Sequence, residues 1–286
     1  MQTRVSCPAC GGFDSRLRFM VNQYNIKHCA TCDTLFVENL PSHEDLAAIY
    51  TSDGYYGLRP DALRRIAEEN RRRLKIIRRL KSNGKLLDIG CAHGLLLDQA
   101  LLEGYETFGV EPSSRNAEDA TRKGHVVFNG WLEEFSAKNG GKQFDIITCL
   151  DVIEHVENPK AFLSLASALL AADGVMVIST PNYSGVIAKL LGPRDPYMIP
   201  PEHITFFTAT GMNRLASECG LEVRLFQTFG TLIPDEMDRS VQRYFPRQFH
   251  FLAPVLRPAI RFSFWALNLM KLGLEQEVYL SRISES

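Results

Sequence analysis

The sequence predicts an α/β fold, a doubly wound parallel sheet preceded by a small cysteine-rich module. Three observations predict it. Short apolar runs alternate with helical patterns from residue 85 to residue 180, the order of a parallel sheet with crossover helices. The run Lys85-Leu-Leu-Asp-Ile-Gly-Cys-Ala-His-Gly94 reads as a buried strand, a tight glycine turn and a helix from about Leu95. Two C-x-x-C pairs, Cys7/Cys10 and Cys29/Cys32, stand 18 residues apart ahead of all this.

Composition sets the outer bounds. The chain has 286 residues, 45% hydrophobic and 23% charged, values of one large or two modest globular domains. A formal net charge of -1 offers no general attraction to nucleic acid. The opening Met1-Gln-Thr-Arg leads into no apolar signal segment. The longest apolar stretch, Phe262 to Leu274, is broken by Asn268 and Lys271 and is too short to span a bilayer. The expectation is a cytoplasmic protein without a transmembrane segment.

Residues 1–40 form the first unit. Four thiolates at the spacing of Cys7, Cys10, Cys29 and Cys32 satisfy tetrahedral zinc with no open position. A structural Zn(2+) ribbon is therefore expected. Two disulfides or a redox dithiol are the competing readings. A cytoplasmic setting disfavours the first, and the paired spacing disfavours the second. Arg16 to Lys27 alternates apolar and polar residues as a hairpin does, and Gly11-Gly12 suits the knuckle turn. Cys91, Cys149 and Cys219 are scattered, the pattern of small buried hydrophobes.

Residues 41–82 read as a helical connector. Glu44 to Tyr50 is a short helix with Ser42 as N-cap. Tyr55 and Tyr56 follow, flanked by Gly54 and Gly57. They read equally as a flap over a substrate pocket or as packing aromatics. Pro60 to Lys81 is a helix with Pro60 near N1. It carries nine Lys or Arg against three acidic residues. An RNA-binding stripe is one reading. No aromatics interleave the charges, so a solvated helix face is the preferred one.

Residues 83–286 form the main domain. Strands are expected at 85–90, 106–111, 125–129, 143–150 and 174–180, with helices between. Gly90 and Gly94 bracket a turn where glycine allows positive φ and close approach of a ligand, and the next helix N-terminus faces that ligand. The turn is neither a P-loop nor G-x-G-x-x-G. Asp88 ends the first strand and Glu111 the second, where a carboxylate commonly takes ribose hydroxyls. Thr208 caps a helix running to Cys219, and Leu221 to Phe226 and Glu277 to Ile283 are the last strands. Residues 230–275 are a helical insertion rich in Phe245, Phe249, Phe251, Phe262, Phe264 and Trp265. A lid, a homodimer surface, a membrane-surface contact through 245–275, and packing on the sheet edge all remain open for it.

These residues resemble the class I S-adenosylmethionine (SAM) methyltransferases, from about Lys85 to Leu225. The resemblance implies a seven-stranded, Rossmann-like sheet with S-adenosyl-L-methionine as cofactor. It implies that Asp88, Gly90, Cys91 and Gly94 hold the methionine part and that Glu111 with Pro112 holds the ribose. Asn129-Gly130-Trp131 would border the adenine, and Leu150 and Asp151 would flank SAM after the fourth strand. Ala92 stands where the family usually has its middle glycine. The run Val152-Ile-Glu154-His155-Val156 matches the family's strand-four segment, where the Glu-His pair is a structural feature.

The ribbon, the tyrosine-rich connector and the Glu202-His203 pair together resemble the nucleotide-sugar C-methyltransferases. In them a tyrosine and such a pair surround the reacting sugar. By that resemblance His203 is the expected general base, supported by Glu202, with Tyr55 or Tyr56 orienting a substrate oxygen. No counterpart of their large extra C-terminal domain is expected from these 286 residues, and the expected acceptor is a small molecule of wider class: a sugar, a polyketide or another metabolite. Ubiquinone-pathway O-methyltransferases share the core and lack the ribbon. The alternatives are an rRNA or tRNA methyltransferase, disfavoured by the near-neutral charge, and a non-catalytic SAM- or metal-binding module, disfavoured by the intact carboxylates.

Overall fold

The computed structural model describes residues 5–51, 60–230 and 262–283. Tyr55, Tyr56, Phe245, Phe249 and Phe251 lie outside the described residues. Two sheets organise the chain. The larger has seven strands in the order β10-β11-β8-β7-β4-β5-β6. Its members are β4 (Lys85–Ile89), β5 (Glu106–Glu111), β6 (Val126–Asn129), β7 (Phe144–Leu150), β8 (Leu170–Pro181), β10 (Leu221–Phe229) and β11 (Glu275–Arg282). The strands from β4 to β8 pair in parallel, and β11 runs antiparallel between β8 and β10. The seven-stranded expectation holds. Its alternation starts from runs such as Leu86-Leu87-Asp88-Ile89, buried throughout, as a parallel strand covered on both faces must be.

Helices α3 (Leu95–Leu102), α4 (Ser114–Arg122), α5 (Leu132–Lys138), α6 (Pro159–Leu169) and α8 (Ala209–Glu218) lie between the strands. Their starts follow local chemistry. Ser113, Asn158 and Thr208 each accept a backbone N–H at the N-cap, satisfying donors the first turn leaves open. Gly94 takes φ 75° ahead of α3. Ahead of the sheet stand α1 (His43–Thr51) and α2 (Pro60–Leu80). Ser42 Oγ accepts the Asp45 N–H at 3.2 Å, the expected cap of α1. The short helix α7 is Val186–Leu191, and α9 covers residues 262–269.

The smaller sheet has the order β1-β2-β3-β9, all antiparallel. Here β1 (Ser15–Val21) and β2 (Tyr24–Cys29) form the expected hairpin, and β3 is Leu35–Val37. Its fourth strand, β9 (Thr205–Phe206), comes from the long loop after β8. The Val37 N–H donates to the Ile204 carbonyl, and the Ile204 N–H donates to the Glu154 carbonyl, both at 2.9 Å. Cys7, Ala9, Cys29, Cys32 and Phe36 share one buried cluster with Leu163, Met212 and Leu215 of α6 and α8. A Cβ on Gly211 would collide with Thr34 Oγ1, so glycine there permits α8 to seat against the cysteine module.

The basic run of α2 is not a solvated face throughout. Arg73 is buried and donates through Nε to Glu277 Oε2 of β11 at 2.7 Å. Arg72 donates to the same oxygen at 3.0 Å, and Arg65 lies 3.5 Å from Glu275. Glu277 is fully buried. Its guanidinium partners hold its carboxyl below the usual range despite burial.

Candidate active site and cysteine cluster

Register brings the functional strand ends to one edge. Ile89 pairs with Val110 and Cys149, Glu111 with Asn129, and Leu150 with Ser179. Ligands bind beyond the carboxyl ends of such strands, and a cavity of about 490 Å³ lies there. Gly90, Glu111, Pro112, Gly130, Trp131 and Asp151 of the expected cofactor set line it. Gly90 has φ 76°, and a Cβ there would come within 2.5 Å of Val152 Cγ2. Glycine is therefore required at that wall.

Glu111 is anchored for a role at the wall. Its Oε2 accepts the Ala92 N–H and its Oε1 the Ser113 N–H, each at 2.9 Å. Burial pushes its carboxyl up while these donors pull it down. A carboxylate oxygen has a second lone pair for a ligand hydroxyl. Asp88 lies deeper. Burial pushes it up to about 7, against the pull of the Thr148 hydroxyl, which donates to Oδ1 at 2.7 Å.

The rest of the expected set stands back from the cavity. A Cβ on Gly109 would meet Cys91 Sγ at 2.6 Å, so that thiol packs on β5. Gly94 is pressed against Ala120 and His125. Asn129 Nδ2 donates to the carbonyls of Glu111 and Pro112, and Leu150 packs against the core. The sequence reading missed His43, Leu46 and Ala47 of α1, Val156 ahead of α6, and Ala161 and Phe162 in its first turn. Helix α1 is fastened there by His43 Nδ1 and Glu157 Oε1, 2.6 Å apart. The pattern of α1 announced a helix, and nothing local announced what it would cover.

One end of the cavity is polar. Asp151 and His155 line it. Asp151 takes φ 54° and its Oδ1 accepts from the Ser179 hydroxyl. Behind it are Glu154 and His203, both buried. The rings of His155 and His203 meet edge to face, centroids 4.8 Å apart. Desolvation, then His155, lowers His203 to about 3, so the imidazole is neutral at pH 7. The expected support of His203 by the Glu202 carboxylate is corrected in one respect. His203 Nδ1 donates to the Tyr197 carbonyl at 2.7 Å, and residue 202 offers its backbone carbonyl to His155 Nδ1 at 2.6 Å.

The four N-terminal cysteines converge. Cys7 and Cys32 sulfurs lie 3.6 Å apart, and Cys10 and Cys29 sulfurs 3.7 Å apart. All four lie within 4.8 Å of one another. Sulfurs of a tetrahedral zinc–thiolate centre, with bonds of about 2.3 Å, stand about 3.8 Å apart. A disulfide needs about 2.05 Å, and all four thiols are free. The donor set and spacing therefore fit a zinc ion. Contact with the Cys7 thiol and with Thr34 pulls Cys32 down, against burial.

Comparison with known proteins agrees with this geometry. A family model described as "Methyltransferase domain" matches residues 60–225. A ubiquinone biosynthesis O-methyltransferase of Bradyrhizobium sp. (strain ORS 278) is 34% identical over 125 residues, 43% of this chain and 48% of that protein. Its counterpart in Rhodopseudomonas palustris (strain TIE-1) is 35% identical over 128 residues, with the same coverage. The chain thus spans about half the length of the curated relatives it matches. Among solved structures, a SAM-dependent methyltransferase from Archaeoglobus fulgidus superposes with TM-score 0.55 at 17% identity, covering 77% of this chain and 94% of that one. Magnesium protoporphyrin IX methyltransferase from Synechocystis PCC 6803, with bound SAM, gives 0.51 at 12%, covering 86% and 99%. Matched over more than half its length and folded on this sheet, the chain belongs to the methyltransferase-domain family of class I SAM-dependent enzymes.

Proposed function

We propose that the chain methylates a small-molecule acceptor in the cavity at the strand ends. The observation that carries this is that Gly90, Glu111, Asp151 and His155 line one cavity at the strand ends. SAM would be held by Glu111 at the ribose, by the Gly90 turn at the methionine part and by Gly130-Trp131 at the base. When bound, SAM supplies an electrophilic methyl group. The chain's own part is orientation and the exclusion of water. Ala161, Phe162, Leu46 and Trp131 offer an apolar wall to an acceptor. A hydroxyl acceptor agrees with the names of the ubiquinone O-methyltransferase relatives. A structural zinc on Cys7, Cys10, Cys29 and Cys32 completes the proposal. The inward pairing of Arg65, Arg72 and Arg73 removes much of the motive for an RNA substrate.

Titration calorimetry tests the cofactor assignment. Glu111→Ala should weaken SAM about 10- to 100-fold, the loss of hydrogen bonds to a charged group worth about 1.5–3 kcal/mol. Unchanged affinity would remove Glu111 from the ribose. Labelled SAM with a metabolite extract should then place label in a small-molecule fraction. Salt-sensitive labelling of RNA instead would overturn the acceptor class.

A further inference from the structure

The polar end of the cavity holds more than methyl transfer by orientation requires. Glu154 is 1% exposed, and neither of its carboxylate oxygens has a hydrogen-bond partner. Nor does Thr180 Oγ1. Buried polar groups are almost always satisfied, and an orphaned carboxylate is among the costliest exceptions. The Thr180 hydroxyl is a neighbouring donor to the carboxyl, and neither group is held in a formed bond, which leaves both open to a ligand.

The neighbours indicate what it is. One ligand atom each of Glu154, His155 and His203 lie within 4.8 Å of one another. His203 Nδ1 faces the Tyr197 carbonyl. A carbonyl only accepts, so Nδ1 carries the hydrogen and Nε2 carries the lone pair. His155 Nδ1 is fixed the same way on the Glu202 carbonyl. Backbone carbonyls orient metal-ligating histidines in this manner. Atoms bound to one ion by bonds of about 2.0–2.2 Å lie about 3–4 Å apart, so small side-chain rotations close the set. Asp151 and Glu275 add negative charge around Glu154, which favours a cation.

We infer that Glu154, His155 and His203 bind a divalent transition-metal ion at the acceptor end of the cavity. Two imidazoles and one carboxylate suit Mn2+, Fe2+, Co2+ or Zn2+ better than Mg2+ or Ca2+, and three protein ligands leave coordination positions open. His155 and Asp151 face the cavity, so the open positions belong to an oxygen of the acceptor. A cation there lowers the pKa of a bound hydroxyl. The acceptor class is then a hydroxyl compound able to bind a metal, and His203 acts as a ligand in place of a base. This rests on the methyltransferase reading above.

The test uses Mn2+, which competes poorly for thiolates, on full-length protein with the cysteine cluster loaded with zinc. Electron paramagnetic resonance of free Mn2+ during titration should show one Mn2+ bound per chain. His203→Ala and Glu154→Gln should each weaken it at least tenfold, with SAM affinity by calorimetry unchanged. Mn2+ should raise the Tm of the wild type and of neither variant. Without Mn2+, Glu154→Gln should melt no lower than wild type, because it removes an orphaned carboxylate, whereas a purely structural Glu154 would melt lower. A folded, SAM-binding wild type that takes up no Mn2+, or variants that bind it as well as wild type, would overturn the site. Mn2+ binding without SAM binding would uphold this site and sink the methyltransferase reading.

Discussion

Ala92 occupies left-handed backbone, φ 45°, between Gly90 and Gly94. A side chain there costs roughly 1–2 kcal/mol. The position is forced: the Ala92 N–H must reach Glu111 across the turn. Family resemblance marked it as a site where glycine is usual, and the dihedral supplies the reason. Ala92→Gly should therefore stabilise the protein. Glycine's extra unfolded-state freedom offsets part of the gain, leaving about 0.5–1 kcal/mol, or a Tm rise of about 1–3 °C by calorimetry. A lower Tm would mean that the strain is relieved elsewhere. The placing of Gly90 and Glu111 at the cavity wall was legible because strand-end chemistry is local, whereas Asp88 is not among the residues that line it. Asp151's left-handed backbone was not legible, because aspartate tolerates that conformation more than most residues yet seldom adopts it. The link from His203 to Tyr197 was also hidden, since it depends on how a proline-rich loop folds back.

The strands were legible to within a few residues because buried parallel strands read as apolar runs. β8 begins at Leu170, earlier than the expected 174, and β11 at Glu275, ahead of 277. Helix α2 was legible as a helix and not by its partner. Periodicity shows which residues share a face. It does not show that β11, some 200 residues on, sets two carboxylates beneath that face. The prediction for this element follows from burial. Arg73→Ala leaves Glu277 charged, with Arg72 as its remaining guanidinium partner, and should cost about 3–5 kcal/mol in urea unfolding. Replacing both Arg73 and Glu277 by apolar residues should recover most of that. A loss under about 1 kcal/mol for Arg73→Ala would show that Arg72 suffices.

Across the whole molecule, the cysteine module is joined to the main domain where β9, from the loop after β8, pairs with β3. A two-residue strand has no periodicity to read, so the sequence presented the cysteine module as an appendage. Structural zinc is worth on the order of 10 kcal/mol in small domains. Chelation is therefore expected to raise amide hydrogen exchange in β3 and at Ile204, while β4 and β7 stay protected. Exchange unchanged at Ile204 would make the module independent of the loop. The consequence runs in both directions. His203 sits one residue from Ile204, whose carbonyl is held by Val37 and whose N–H is held by Glu154. Coupling free energy is reciprocal. If zinc stiffens that loop, whatever settles on His203 must tighten the thiolates' grip on zinc by the same factor, and the catalytic pocket becomes a reporter of the cell's zinc supply.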